Sequence, residues 1–228
     1  MKNLLYKEWK LNIHPMSIVF AFIGGLMLIV PGNSNFLAFV YVTLSYTFLF
    51  LGGTKGVDNN DLYYTAALPI RRVDIVKART MSIMSLQLIN ILFCIPFAFL
   101  QPLIIKAMVE GGESLESITT MGLEPNLTLF GMALIYFTFM DGMFLPWYYK
   151  TTNKIMVPYF VSVFVSMIFF AIIAVVLPGI IPGMSELLGG WNNIPIQFIF
   201  LLVSVIIYLG GHFLIVKWSQ KNFEKVDI

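Results

Sequence analysis

One carboxylate, Asp141, stands well inside a long apolar run, and ionisable groups at such a depth are costly and function-bearing by default. Three kinds of chemistry suit it: pairing with a basic residue near the inner interface, a place on a substrate path or in conformational coupling, or proton relay. In another run Gln87, Asn90, Cys94 and Gln101 fall within an arc of about 60° at 100° per residue. Amides in lipid require partners, so this stripe faces another helix or a water-filled path. Pro96 lies within the same run and is expected to kink it. A last run carries a similar stripe of Gln197, Ser204, Tyr208 and Gly211. Both stripes suit interhelical hydrogen bonding, and both also suit a substrate path or a subunit seam. His212, beside Gly210 and Gly211, reads first as hydrogen-bonded structure.

Other chemistries lack their residues. No G-x-x-x-x-G-K-[ST] loop is present to cradle nucleotide phosphates, and no H-E-x-x-H or dense His/Cys/carboxylate cluster to hold a metal. Cys94 stands alone, which excludes an intrachain disulfide. Ser185 after Gly183 and Met184, with His212 on a later run, superficially fits a membrane serine protease. The two are expected at opposite faces of a membrane, too far apart for a nucleophile and its base. No catalytic residue is assigned.

The elements that position these groups are long and apolar. Hydrophobic residues make up 58% of the 228-residue chain and charged residues 11%, against about 25% charge in an ordinary soluble domain. A bilayer core about 30 Å thick needs about 20 apolar residues in helix. Six spans are expected, at 16–31, 36–53, 77–105, 127–148, 155–177 and 195–217. The first is short, bracketed by Pro15 and Pro31 around Gly24-Gly25; without it the count falls to five and the amino terminus moves outside.

Of the 14 Lys and Arg, all but Lys106 fall in alternating segments: Lys2, Lys7 and Lys10; Lys55, Arg71, Arg72, Lys77 and Arg79; Lys150 and Lys154; Lys217, Lys221 and Lys225. Basic loops stay cytoplasmic, so both termini are placed in the cytoplasm. The net charge of +2 matters less than this distribution, which suits anionic headgroups and shows no nucleic-acid footprint. The start of the chain lacks an apolar core and a small-residue cleavage site, so the first span is expected to act as its own insertion signal.

Between the spans, residues 2–13 read as an interfacial helix with Leu5, Trp9 and Ile13 on one face. The connection 54–76 begins with the N-capping cluster Asp58-Asn59-Asn60-Asp61 and continues as a short helix to Leu68. Pro69 ends that helix and is placed to start the next. Residues 106–126, with Glu110, Glu113, Glu116 and Glu124, read as a solvated outer loop, and 178–194 as an outer re-entrant or interfacial hairpin. The fold class is all-α integral membrane, a single transmembrane domain over 1–228.

Two segments carry a family resemblance. TAALPIRRVDIVKAR (65–79) resembles the stretch after the second span of small ABC-2-type exporter permeases, and LPWYYKTTNKI (145–155) is similar to their Pro-aromatic-Lys turn between spans four and five. Length, span count and the amphipathic start also agree, and the chain looks closest to permease subunits of phenol-soluble-modulin exporters. The resemblance implies a bacterial cytoplasmic-membrane permease that pairs with a second copy or paralogue and with separate ATPase subunits. Those subunits, and not this chain, would bind ATP and Mg. It makes 58–68 a coupling helix, with Asp58, Asp61, Leu62, Tyr63, Tyr64, Leu68, Arg71 and Arg72 at the ATPase contact. The stripe residues and Asp141 would then lie on the path of an amphipathic peptide or other hydrophobic cargo. A non-transporting accessory or immunity subunit, and a membrane-embedded enzyme, stay open beside this.

Overall fold

The computed structural model describes residues 2–30, 35–50, 65–67, 69–112, 124–151, 155–176, 180, 190 and 193–226. Every regular element among them is helical. The chain starts with α1 (Lys2–Lys7), which widens into a π turn over Glu8–Asn12. Next come α2 (Pro15–Met27), α3 (Leu37–Leu44) and α4 (Tyr46–Phe50). The larger helices are α5 (Arg72–Glu110), α6 (Leu127–Thr151), α7 (Met156–Ala171, prolonged by a π segment Ile172–Val176) and α8 (Ile194–Phe223).

Three of these, α5, α6 and α8, are long and apolar enough to cross a membrane. The bent pair Asn3–Lys10 and Pro15–Met27, angled at 76°, makes a fourth if it counts as one span. At 1.5 Å per residue the 39 residues of α5 extend about 58 Å, well beyond the hydrocarbon core.

The distribution of side chains is inverted relative to a water-soluble domain. Leu92 is 65% exposed, Phe164 61% and Ile206 70%, whereas Gln87, Asn90, Asp141 and Gln197 are fully buried. Apolar surface on that scale needs a partner or lipid, and buried amides need each other.

The long helix α5 is the spine, packed against α1, α2, α3 and α8, while α6 packs on α7 and most extensively on α8. Aromatic rings fill the space between. Phe36 stands edge-on to Tyr136 at 5.0 Å and is stacked on Phe170 at 5.7 Å; Phe50 lies edge-on to Tyr148 at 4.6 Å. Glycines allow the closest approaches. A Cβ on Gly24 would lie 2.2 Å from the Ala38 carbonyl oxygen, and one on Gly211 would lie 2.3 Å from Cγ2 of Thr138.

Several expected boundaries shift for local reasons. The expected span 36–53 is broken at Ser45, where Thr43, Ser45 and Thr47 each turn a hydroxyl back onto the carbonyl three residues earlier. Such bonds compete with the helical ladder and bend it. The helix after Pro69 begins at Arg72, not at the proline, with Arg71 extended at the N-cap. Pro96 and Pro102 both lie inside α5, yet it runs as one helix and the stripe keeps its face through Gln101. In α2, His14 caps the amino end by accepting from the Met16 amide at 3.1 Å.

The interfacial helix presents a different face from the expected one. Leu4, Glu8 and Ile13 are buried, while Leu5 and Trp9 are half-buried. The π turn explains the spacing, since the Ile13 amide donates to the Glu8 carbonyl at 3.1 Å, five residues back. Residues 65–67 are helical, and the rest of the expected 58–68 helix lies outside the described residues, as do most of the 178–194 hairpin and Lys154.

Candidate functional site

Asp141 sits at the centre of a hydrogen-bonded network drawn from four helices. Its Oδ1 accepts from the Tyr46 hydroxyl of α4 at 2.7 Å. Its Oδ2 accepts from Gln87 Nε2 of α5 at 2.7 Å and faces His212 Nε2 of α8 at 3.0 Å. The second Nε2 proton of Gln87 goes to the Tyr46 oxygen at 2.6 Å, and Gln87 Oε1 accepts from the Tyr208 hydroxyl at 2.7 Å. His212 Nδ1 lies 2.7 Å from the Tyr208 carbonyl, one turn back on α8. Tyr46, Gln87 and Asp141 are fully buried, and Tyr208 and His212 are 2% exposed.

The roles in this network assign its protons. The Tyr208 carbonyl can only accept, so Nδ1 carries a hydrogen. An ionised Asp141 also only accepts, which places a second hydrogen on Nε2; the neutral alternative moves that proton onto Oδ2. The pair carries no net charge in either arrangement, which lowers the cost of burying it. Both ring nitrogens are engaged, so His212 has no free lone pair with which to activate a nucleophile.

Local sequence explains how the groups meet. The break at Ser45 sets the direction of α4 and hence of Tyr46. Close packing of α6 on α8 through Gly211 and Thr138 brings Asp141 and His212 together although they are 71 residues apart in the chain. A pairing of Asp141 with Lys or Arg at the inner interface was one expectation; the partner found is His212. His212 itself is hydrogen-bonded structure, as its setting suggested, but it belongs to the Asp141 centre.

The remaining stripe residues are also inside the bundle. Asn90 Nδ2 donates to the Ala21 carbonyl at 2.9 Å and reaches that of Ala38 at 3.3 Å, joining α2 and α3 beneath Gly24. Gln101 Nε2 donates to the Leu28 carbonyl and, at 2.8 Å, to Asn35 Oδ1. Gln197 Nε2 and Asn126 Nδ2 both donate to the Gly190 carbonyl at 3.0 Å. Ser204 bonds back to the Phe200 carbonyl at 2.8 Å, next to Gly131. The α5 stripe thus faces α2, α3 and the Asp141 centre.

A second polar centre was not anticipated. Arg79, expected as a cytoplasmic cation, is 3% exposed, and its Nε lies 3.1 Å from Oε2 of the buried Glu8. Asn12 Nδ2 donates to the same oxygen at 2.7 Å, Arg79 Nη1 donates to the Tyr148 hydroxyl at 3.3 Å, and the guanidinium lies 5.5 Å from the Phe50 ring centroid. Lys7 Nζ lies 3.8 Å from the other Glu8 oxygen and donates to the Thr65 hydroxyl. The sequence signal was available: Glu8 lies four residues after Leu4 and five before Ile13, on a turn-spaced row that needs an inward partner.

Arg71 and Arg72 part company. Arg71 is exposed and pairs with Asp74 at 3.0 Å. Arg72 reaches back across the bundle, where Nη1 donates to the carbonyls of Phe223 and Val226 at 2.9 Å each. It closes the carboxyl end of α8, where a cation is favoured. Asp58, Asp61, Leu62, Tyr63, Tyr64 and Leu68 lie outside the described residues. Among the described residues no group of three or more His, Cys, Asp or Glu could hold a metal.

Comparison with protein-family models, curated proteins and solved structures returns no match. The described residues therefore form an all-helical bundle with three helices long and apolar enough to cross a membrane, up to four if the bent pair counts as one span.

Proposed function

We propose that the chain is the permease subunit of an ATP-driven exporter of the ABC-2 type, with six crossings and both termini in the cytoplasm of a bacterium. The observation that carries this reading is the rim built on Glu8 and Arg79. It binds the amino-terminal helix, the start of α5 and, through Tyr148, the end of α6 into one unit. Lys7 fastens that unit to Thr65, at the end of the segment assigned to ATPase docking. Motion imposed on 58–68 then passes through Lys7, Glu8 and Arg79 into α5. Eight residues on, about 12 Å along the same helix, Gln87 holds Asp141. ATP and Mg would act in separate ATPase subunits, and two permeases would enclose the path of an amphipathic peptide or similar cargo. Closing of the ATPases would favour one arrangement of the bundle through differential contacts.

A non-transporting accessory role draws on one observation. Gln87, Asn90, Asp141 and Tyr208 bond to one another or to backbone within one protomer, which also suits a static bundle. Co-purification with the products of neighbouring genes, followed by ATPase assays across amphipathic peptides, separates the two. A permease recruits an ATPase whose hydrolysis rises with cargo, and Tyr63→Ala with Tyr64→Ala abolishes that rise. Recruitment of no ATPase, or stimulation unchanged in the double variant, contradicts the docking assignment.

A further inference from the structure

A groove runs between α6 and α8 at the basic end of the bundle. Its inner part, about 680 Å³, is apolar and opens at Gly142, beside Phe139, Met143 and Leu214. It continues into a more polar mouth of about 740 Å³ that contains Trp147 and Trp218. Lys217 and Lys221 line the inner part near its end, and Lys150 and Lys225 line the mouth. Among the described residues no carboxylate lines either part, and none of the four lysines is paired with one. Lys217 lies 4.3 Å from the Phe213 ring centroid, which holds its ammonium at the rim.

We propose that this groove holds one anionic phospholipid, with one acyl chain along Gly142 and Leu214 and its phosphate among the four lysines. Along both helices the lining passes from apolar residues to tryptophan and lysine together, Trp147 and Lys150 on α6 and Lys217, Trp218 and Lys221 on α8, as the depth profile of a lipid requires near its headgroup. Basic pockets between membrane helices suit anionic headgroups, and a bare apolar groove would not discriminate among lipids. The assignment requires that α6 and α8 cross the bilayer and is independent of the transport reading.

Native mass spectrometry of the full chain in detergent, titrated with dioleoyl phosphatidylglycerol or dioleoyl phosphatidylcholine, tests it. One phosphatidylglycerol is expected to be retained with a preference of about tenfold. Replacing Lys150, Lys217, Lys221 and Lys225 with Gln brings the ratio close to one, with Lys221→Gln alone as a milder check. Gly142→Leu weakens both lipids by filling the apolar part; an added Cβ there meets only Ile215 at 3.6 Å, so the backbone is not forced. Equal retention of the two lipids overturns the proposal, as does a preference that survives loss of the lysines in a variant melting like the wild type. A lipid-free dimer that shields Trp218 from acrylamide overturns it in favour of a second copy of the chain.

Discussion

Arg79 closes on Glu8 at 3.1 Å across 71 residues of sequence, and both side chains are buried. The contact turns an amphipathic amino-terminal helix into a fixed part of the bundle. An ordinary interfacial helix slides on a membrane surface; this one is pinned through Glu8, which also accepts from Asn12, and through Arg79, which also donates to Tyr148.

Breaking that pair from one side strands a buried charge. Glu8→Ala should destabilise the bundle by about 3–5 kcal/mol, read as a lower melting temperature in detergent. Adding Arg79→Met should recover much of the loss, because the stranded cation goes with it. A double variant no better than the single would show that Glu8 acts by other means.

Asp141→Asn keeps one acceptor oxygen but turns an amide donor toward Gln87 Nε2. A loss of about 1–3 kcal/mol is expected from the unmatched donor. Asp141→Leu should cost more, since it removes the carboxylate partner of Tyr46 and His212 together with one of the two acceptors of Gln87. Under the permease reading, Asp141→Asn also impairs transport at wild-type expression, and normal transport would remove Asp141 from the mechanism.

Gly24 and Gly142 make a controlled contrast. Gly24→Ala drives a Cβ to 2.2 Å from the Ala38 carbonyl oxygen and 2.6 Å from Asn90 Nδ2, so it should cost about 1–3 kcal/mol. Gly142→Ala meets only Ile215 at 3.6 Å and should melt within a degree or two of the wild type. Equal melting temperatures would contradict the close approach of α2 to α3.

Arg72→Ala removes the donor that closes α8. Hydrogen exchange at residues 220–226 should accelerate by about tenfold while exchange in the middle of α8 is unchanged. Arg71→Ala, an exposed neighbour with a surface pair, should leave that exchange untouched.

Part of the architecture could be read from sequence because a helix places residues every 100° whatever surrounds it. The stripe of Gln87, Asn90, Cys94 and Gln101 was evident at 100° per residue, and α5 kept that register past both prolines because it remained one helix. Asp141 stood out as a buried carboxylate. Its partner did not, because nothing local marks His212 as its neighbour 71 residues on. Arg79 was read as a cytoplasmic cation, and Glu8 drew no reading, for a related reason: a charge near a helix end looks exposed until its opposite is known to face it. The break at Ser45 follows from three clustered hydroxyl residues, whose local bonds compete with a helix that the apolar pattern alone favours.

The account depends on the basic end of the bundle lying inside the cell, where a separate motor could reach it. With Cys94 replaced by Ala, Lys225→Cys and Glu124→Cys place single thiols at exposed positions beyond opposite ends of α6 and α8. In intact cells a membrane-impermeant maleimide should label Glu124→Cys and spare Lys225→Cys, and permeabilised cells should label both. Labelling of Lys225→Cys from outside intact cells would contradict the topology and the function built on it.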